Sequence, residues 1–260
     1  MAPPTARGPR QRPWALLLTQ LALALTVLGA WEAYGRVHGE GLTSMPSLVG
    51  ARLLSWAGDD LYVHVTVTLA EVLAGLTLGT AAGVSLGLLL GRMPNAGELA
   101  RPIIVAMYSV PMIALAPLLI MLFGLDLLPK IVLVTLVVFF LLFFNTFSGV
   151  QAVDEDMVSS LRLMGSNSLE DFRMVIAPGS LIWIIGGMKV ALPYTLVAAT
   201  TAEMLASRRG LGWLLVQSSS QYDITGVYAV LAILTVLGIV ISESASQLEQ
   251  WLLRWRAPSR

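Results

Sequence analysis

Residues 154–178 read DEDMVSSLRLMGSNSLEDFRMVIAP, the longest polar interruption in the second half of a very apolar sequence. The stretch carries Asp154, Glu155, Asp156, Arg162, Glu170, Asp171 and Arg173, and runs long enough to cross a bilayer flank it on both sides. Its apolar residues keep a helical spacing: Met157, Leu161 and Met164 share one face, and Leu169, Phe172 and Ile176 another. The spacing predicts two short helices. Gly165 stands between them, and glycine takes a left-handed turn at a helix end at least cost. Asn167 offers a side-chain oxygen to the next helix start, and Glu170, three places on, completes a capping-box spacing. Pro178, with no N–H to give the ladder, is expected to stop the second helix. The product is helix, glycine turn, helix, with charges outward and a few apolar residues left to dock. A cytoplasmic loop needs no such order unless something grips it. The plain alternative is a loop that only reconnects two spans.

Composition sets the class around this stretch. Of 260 residues, 56% are hydrophobic and 12% charged, and mean hydropathy is +0.77. A soluble domain is about one quarter charged. The chain therefore reads as an all-α integral membrane protein of about six transmembrane helices. Its formal net charge of zero gives no electrostatic case for nucleic acid. The absence of cysteine excludes disulfides, thiolate metal sites and thiol nucleophiles. The two histidines, His38 and His64, are too far apart to begin a His-rich metal site. A P-loop needs G-x-x-x-x-G-K-[ST], yet the only lysines, Lys130 and Lys189, are followed by Ile131 and Val190. ATP is thus not bound through a Walker motif, and no metal, cofactor or catalytic residue is expected in the chain. If its work is ATP-driven, another subunit supplies the motor.

In chain order, residues 1–13 form a basic tail with Arg7, Arg10 and Arg12. Residues 14–31 read as an uncleaved first span and 32–64 as an extracytoplasmic segment. Residues 65–250 form the membrane core with the loop 154–178 inside it, and 251–260 a Trp- and Arg-containing tail. In the second span, Gly75, Gly79, Gly83 and Gly87 make a groove for close helix approach, read as packing within one subunit. Glu71 in the same span is expected to snorkel to the interface. The third span, 103–123, is broken by Pro111 and Pro117; it either lines a pathway or packs bent against neighbours. Lys189 sits roughly 12 Å into the fifth span by helical rise. It faces a water-filled pathway and attracts an anion, or it snorkels or pairs with a carboxylate. Glu203, at the far end of that span, has an interfacial pairing with Arg208 as its plain reading. With the N-terminus inside, ten of the 16 Lys and Arg fall on the inner side and five on the outer. That bias puts the loop and both termini in the cytoplasm.

These residues carry a resemblance. The stretch resembles the EAA loop of bacterial ABC importer permeases, E-A-A-x-x-x-G, nine residues, I-x-L-P. Ser159, Ser160 and Leu161 stand at the EAA positions, Gly165 at the glycine, and Val175 to Pro178 at I-x-L-P. Ser159 replaces the Glu, so a charged contact that the family usually offers its ATPase is missing. Met45-Pro46-Ser47, SVPMIALAPLLIMLFGL (109–125), NTFSGV (145–150) and LGWLLVQSSSQYD (211–223) are similar to further family segments, covering about residues 40–250. The nitrate, sulfonate, taurine and bicarbonate branch is the nearest in pattern.

The resemblance implies a type I ABC importer permease-like fold in a bacterial inner membrane. It implies a cytoplasmic ABC ATPase dimer that binds the ATP and docks the loop, with Asn167, Glu170 and Pro178 shaping it. It also implies a second permease copy, identical or homologous, an extracytoplasmic solute-binding protein, and contact with lipid. Pro111, Pro117 and Lys189 are pathway candidates, and Glu203 an outer-gate candidate. The solute is a small anion or a vitamin precursor. A self-contained secondary transporter or channel would show inverted repeats or several intramembrane charges; no repeat is visible and only Glu71 and Lys189 stand out. A membrane hydrolase would need a Ser–Lys pair with a nucleophile motif, which is missing.

Overall fold

The computed structural model describes residues 13–39, 43–93, 102, 106 and 109–252. The basic tail, most of the 92–101 turn, the first part of the third span and the end of the C-terminal tail lie outside them. The described residues form ten α-helices. They are α1 (Pro13–His38), α2 (Pro46–Ala57), α3 (Leu61–Gly91), α4 (Ala116–Phe123), α5 (Leu127–Gln151), α6 (Glu155–Leu163), α7 (Ser168–Asp171), α8 (Ala177–Ala206), α9 (Leu211–Ser220) and α10 (Ile224–Leu252). Five helical runs are long and apolar enough to cross a membrane, and Met112–Phe123 is a shorter apolar piece. The fold is all-α, as composition and spacing predict.

The core is α5 gripped between α3 and α8. Val134, Val138 and Leu142 of α5 are fully buried against Val72 of α3 and Ala191, Ala198 and Ala199 of α8, and Leu133 packs with Ala116 and Leu119 of α4 and Ala202 of α8. The glycine groove of α3 faces α5 within the chain. A Cβ on Gly79 would stand 2.7 Å from the Thr135 carbonyl oxygen, and one on Gly83 2.7 Å from that of Phe139. Only a hydrogen at these positions lets the two backbones meet.

The segment 32–64 is itself mostly helical. α1 continues to His38, and α2 packs beside it, where the Glu32 carboxylate accepts from Ser47 N–H at 3.1 Å and Ser47 Oγ at 2.8 Å. Arg52 of α2 ion-pairs with Asp223, which ties α2 to the start of α10.

The third span takes a broken form. Pro111 caps a single 3-10 turn, Met112–Leu115, and Pro117 opens α4 in its first turn. Both prolines thus sit where a missing N–H loses no ladder bond. Glu71 does not snorkel: it is 0% exposed and ion-paired with Lys130 of α5. A carboxylate about two turns further into the span than His64 finds a buried ammonium closer than it finds the interface.

Candidate functional site

The loop between α5 and α8 is more ordered than its spacing alone demands. Asp154 caps α6, its carboxylate accepting from Asp156 N–H at 2.9 Å. Glu155 and Asp156 follow in the first turn, where a negative charge suits the helix dipole. At the other end Gly165 has φ +91°. Its N–H donates to the Arg162 carbonyl at 3.0 Å, and Ser166 N–H donates to that of Leu161 at 3.2 Å. Those two bonds define a Schellman C-cap, which needs a residue at ease in the left-handed region. Asn167 Oδ1 then accepts from Leu169 and Glu170 N–H, each at 3.0 Å, and Glu170 Oε2 accepts from Asn167 N–H at 2.8 Å. The capping box is complete.

One charge turns inward, against the expectation of charges outward. Asp171 is 1% exposed, and its carboxylate accepts from Arg162 Nε at 2.8 Å and Ser166 Oγ at 2.5 Å. The Ser166 hydroxyl and the Arg162 guanidinium hold this carboxyl below its ordinary range. The clamp closes α6 onto α7 across the glycine turn. Arg92, just past α3, donates to the Ser168 carbonyl at 3.0 Å and stacks its guanidinium 4.7 Å from the Phe172 ring. The loop is thereby fixed to the end of the core helix pair as well as to itself.

Pro178 does not stop the second helix. Phe172–Ile176 forms a π turn, with Ala177 N–H donating to the Phe172 carbonyl, and α8 continues with Pro178 in its first turn. The widened turn has already displaced the i−4 ladder where the proline lacks its donor. Residues 168–206 are therefore one helical run of 39 residues. At 1.5 Å per residue that is about 58 Å, far more than a bilayer core of about 30 Å. Its polar start, including Asp171, stands outside the apolar slab.

Among its exposed charges the loop also presents apolar side chains. Leu163 is 90% and Met164 87% exposed, and Met157, Leu169 and Met174 are exposed beside them. Ser159, Ser160, Gly165, Asn167 and Glu170 are exposed, while Leu161 and Pro178 are half-buried. Leu163, on neither of the two faces read from the spacing, is the most exposed of the set.

The four pathway candidates do not come together. Pro111 lines an apolar cleft beside α5 and α8. Lys189 is ion-paired with Glu249 of α10 at 2.5 Å. Glu203 is buried and does not pair with Arg208; it accepts from Thr68 Oγ1 at 2.7 Å and Gly212 N–H at 2.6 Å. The 207–212 turn folds back over the end of α8, so backbone donors reach the carboxylate first. Leu211 N–H donates to Thr68 Oγ1 at 2.9 Å, Gly210 N–H to His64 Nδ1 at 3.0 Å, and Lys130 Nζ to Ser207 Oγ at 3.0 Å. Thr68, His64 and Lys130 thus belong to a buried polar knot that the sequence reading missed. The signal was there for Lys130: an ammonium and a carboxylate in separate apolar runs have reason to find each other.

Helices long and apolar enough to span a membrane around a capped, ordered connection define a multi-span membrane protein. Residues 79–254 match the family model described as the binding-protein-dependent transport system inner membrane component, and the chain belongs to that family. It is 30% identical to the formylaminopyrimidine transport permease protein ThiX of Halalkalibacterium halodurans, covering 93% of this chain and 96% of that one. It is 27% identical to the putative aliphatic sulfonates transport permease protein SsuC of Bacillus subtilis, over 91% of this chain and 87% of the relative. It is also 27% identical to the taurine transport system permease protein TauC of Escherichia coli, over 96% and 92%. Among solved structures, an inward-facing MetNI methionine ABC transporter chain superposes with a TM-score of 0.63 at 21% identity, covering 72% of this chain and 94% of that one. The chain is an ABC importer permease subunit, an inner-membrane component.

Proposed function

We propose that this subunit forms the passage for a small solute and is driven through the 154–178 loop by a separate cytoplasmic ABC ATPase dimer. The observation that carries the reading is the pairing of internal rigidity with external apolarity in that loop. Arg162, Ser166 and Asp171 lock α6 to α7, while Leu163, Met164 and Met174 point their apolar surface away from the chain. Large apolar side chains gathered on an otherwise polar, internally locked connection suit a surface that another protein covers. The missing Glu at position 159 then matters little, because the grip rests on apolar contact. A second permease copy completes the passage, and an extracytoplasmic binding protein delivers the solute. Both termini lie in the cytoplasm of a bacterial cell, as the Lys and Arg distribution supports. The solute classes open to it are those named for its relatives: a formylaminopyrimidine, an aliphatic sulfonate or taurine.

The test uses the chain's lack of cysteine. Ser160→Cys and Ser166→Cys are paired with single cysteines in the docking cleft of the co-expressed ATPase. Nucleotide-dependent cross-linking at either site is the expected result. Its absence at every loop position, with both proteins membrane-bound, would reject the coupling role.

A further inference from the structure

Resting on the importer reading, we infer that the passage is built for an uncharged aromatic solute and against an anion. The inference starts from a cleft of about 300 Å³ lined by Val110, Pro111 and Ile113, by Phe140 of α5, and by Val190 and Tyr194 of α8. The α5 and α8 residues lie near the middle of their spans. Beside them the main chain leaves α-helical form between Ser109 and Leu115. Irregular backbone at membrane depth is tolerated only against protein or a water-filled cavity, never against lipid tails. A second cleft, between α3, α8 and α10, has only regular helix for its walls. Its Thr77 and Ser244 hydroxyls donate to the Leu73 and Val240 carbonyls of their own helices, and Thr80 Oγ1 is buried without a partner among the described residues. What separates the two clefts is therefore the backbone: regular helix can face a lipid tail, and the irregular Ser109–Leu115 stretch cannot.

The charge pattern then sets the class. No charged residue occurs between Arg101 and Asp126, and the only charged residues in α5 and α8 are Lys130, Lys189 and Glu203. Lys130 is held by Glu71 and Ser207, Lys189 by Glu249, and Glu203 by Thr68 and Gly212. The cleft thus offers no free ammonium or guanidinium to replace an anion's water, and an unpaired ion in such walls is costly. A flat ring fits instead. Phe140 and Tyr194 give it aromatic contact. The Tyr194 hydroxyl has no partner among the described residues and offers a hydrogen bond.

The experiment assembles this chain with its ATPase and binding protein in proteoliposomes, carrying Tyr194→Cys or Val190→Cys. Each is treated with neutral methyl methanethiosulfonate and with its anionic sulfonatoethyl counterpart, and rates are normalised to a free thiol in water. Labelling by both is expected, the neutral reagent faster by about tenfold or more, because a charge gains nothing from these walls. Equal or faster labelling by the anion overturns the solute class. No labelling at either site in any nucleotide state overturns the cleft as passage. Uptake follows the same division: ATP-driven entry of a radiolabelled aminopyrimidine is expected, reduced at least about tenfold by Tyr194→Ala. Entry of methanesulfonate instead overturns the inference and leaves the importer reading standing. The importer reading fails separately, through loss of the Ser160→Cys cross-link to the ATPase.

Discussion

Asp171 shows how one side chain can organise a loop. Its carboxylate is held below the ordinary range by Ser166 and Arg162, so its contribution to loop order is fully present above the ordinary carboxylate pKa. That contribution is lost as pH falls through the lowered value. Limited proteolysis between Asp154 and Pro178 should therefore stay slow from neutral pH through the usual carboxylate range and accelerate below it. Asp171→Asn should proteolyse at the fast rate at every pH, and an unchanged rate in that variant would mean the clamp is not what orders the loop. Gly165 is the second decisive residue. A Cβ there meets nothing within 4 Å, so Gly165→Ala is penalised through φ +91° alone. The left-handed conformation costs a residue with a Cβ about 1–2 kcal/mol. Ser166→Ala removes a bond without touching φ, and comparing the two variants by amide exchange of Ser166 N–H separates backbone strain from the clamp.

Helix pairing explains which parts of the fold were legible beforehand. The period-four glycines announce a close seam, and the seam lies within the chain because Val134, Val138 and Thr146 of α5 fill it. The turn at Gly165 and the cap at Asn167 were equally legible, because each is fixed by residues within a few positions of itself. Contacts between distant helices were legible only as charge: Glu71 and Lys130 stand 59 positions apart in the sequence, so their opposite charges in apolar runs hint at a pair while spacing carries no information about it. The end of α7 misled for a related reason. Proline signals a stop only where the ladder is regular, and the π turn ahead of Pro178 has already shifted it. The seam predicts that Gly83→Val destabilises by roughly 1–3 kcal/mol, since a branched side chain must push α5 aside. Gly29→Val on the open face of α1, where a Cβ meets nothing within 4 Å, should change little. Thermal unfolding of the two in detergent distinguishes them; equal shifts would mean the α3–α5 contact is loose.

Across the whole molecule, two rigid features stand at opposite ends of the spans. Arg92 ties one end of α3 to the loop, so the knot of Thr68, Glu71, Lys130 and Glu203 lies toward the other end. The knot joins α3, α5, α8 and the turn before α9 through buried polar contacts. Breaking it from one side leaves an uncompensated buried charge: Lys130→Met should destabilise by about 3–5 kcal/mol, while Lys130→Met with Glu71→Leu together should come close to neutral. Equal loss in the single and double variants would mean the pair contributes packing and not charge compensation. With both ends fixed, the connection between them decides the transmission. α7, the π turn and α8 are one helical run, so a push on the loop reaches the cleft at Val190 before the run meets its internal Pro193. A π turn holds one residue more than the α-helix it interrupts, and deleting Met174 would return it to α geometry. The loop would then turn by about 100° against the span, carrying Leu163 and Met164 off their docking direction. The expected result in the assembled importer is ATP hydrolysis that continues while solute uptake stops. Uptake surviving the deletion would show that the stroke reaches the spans by another route, through Arg92 and α3.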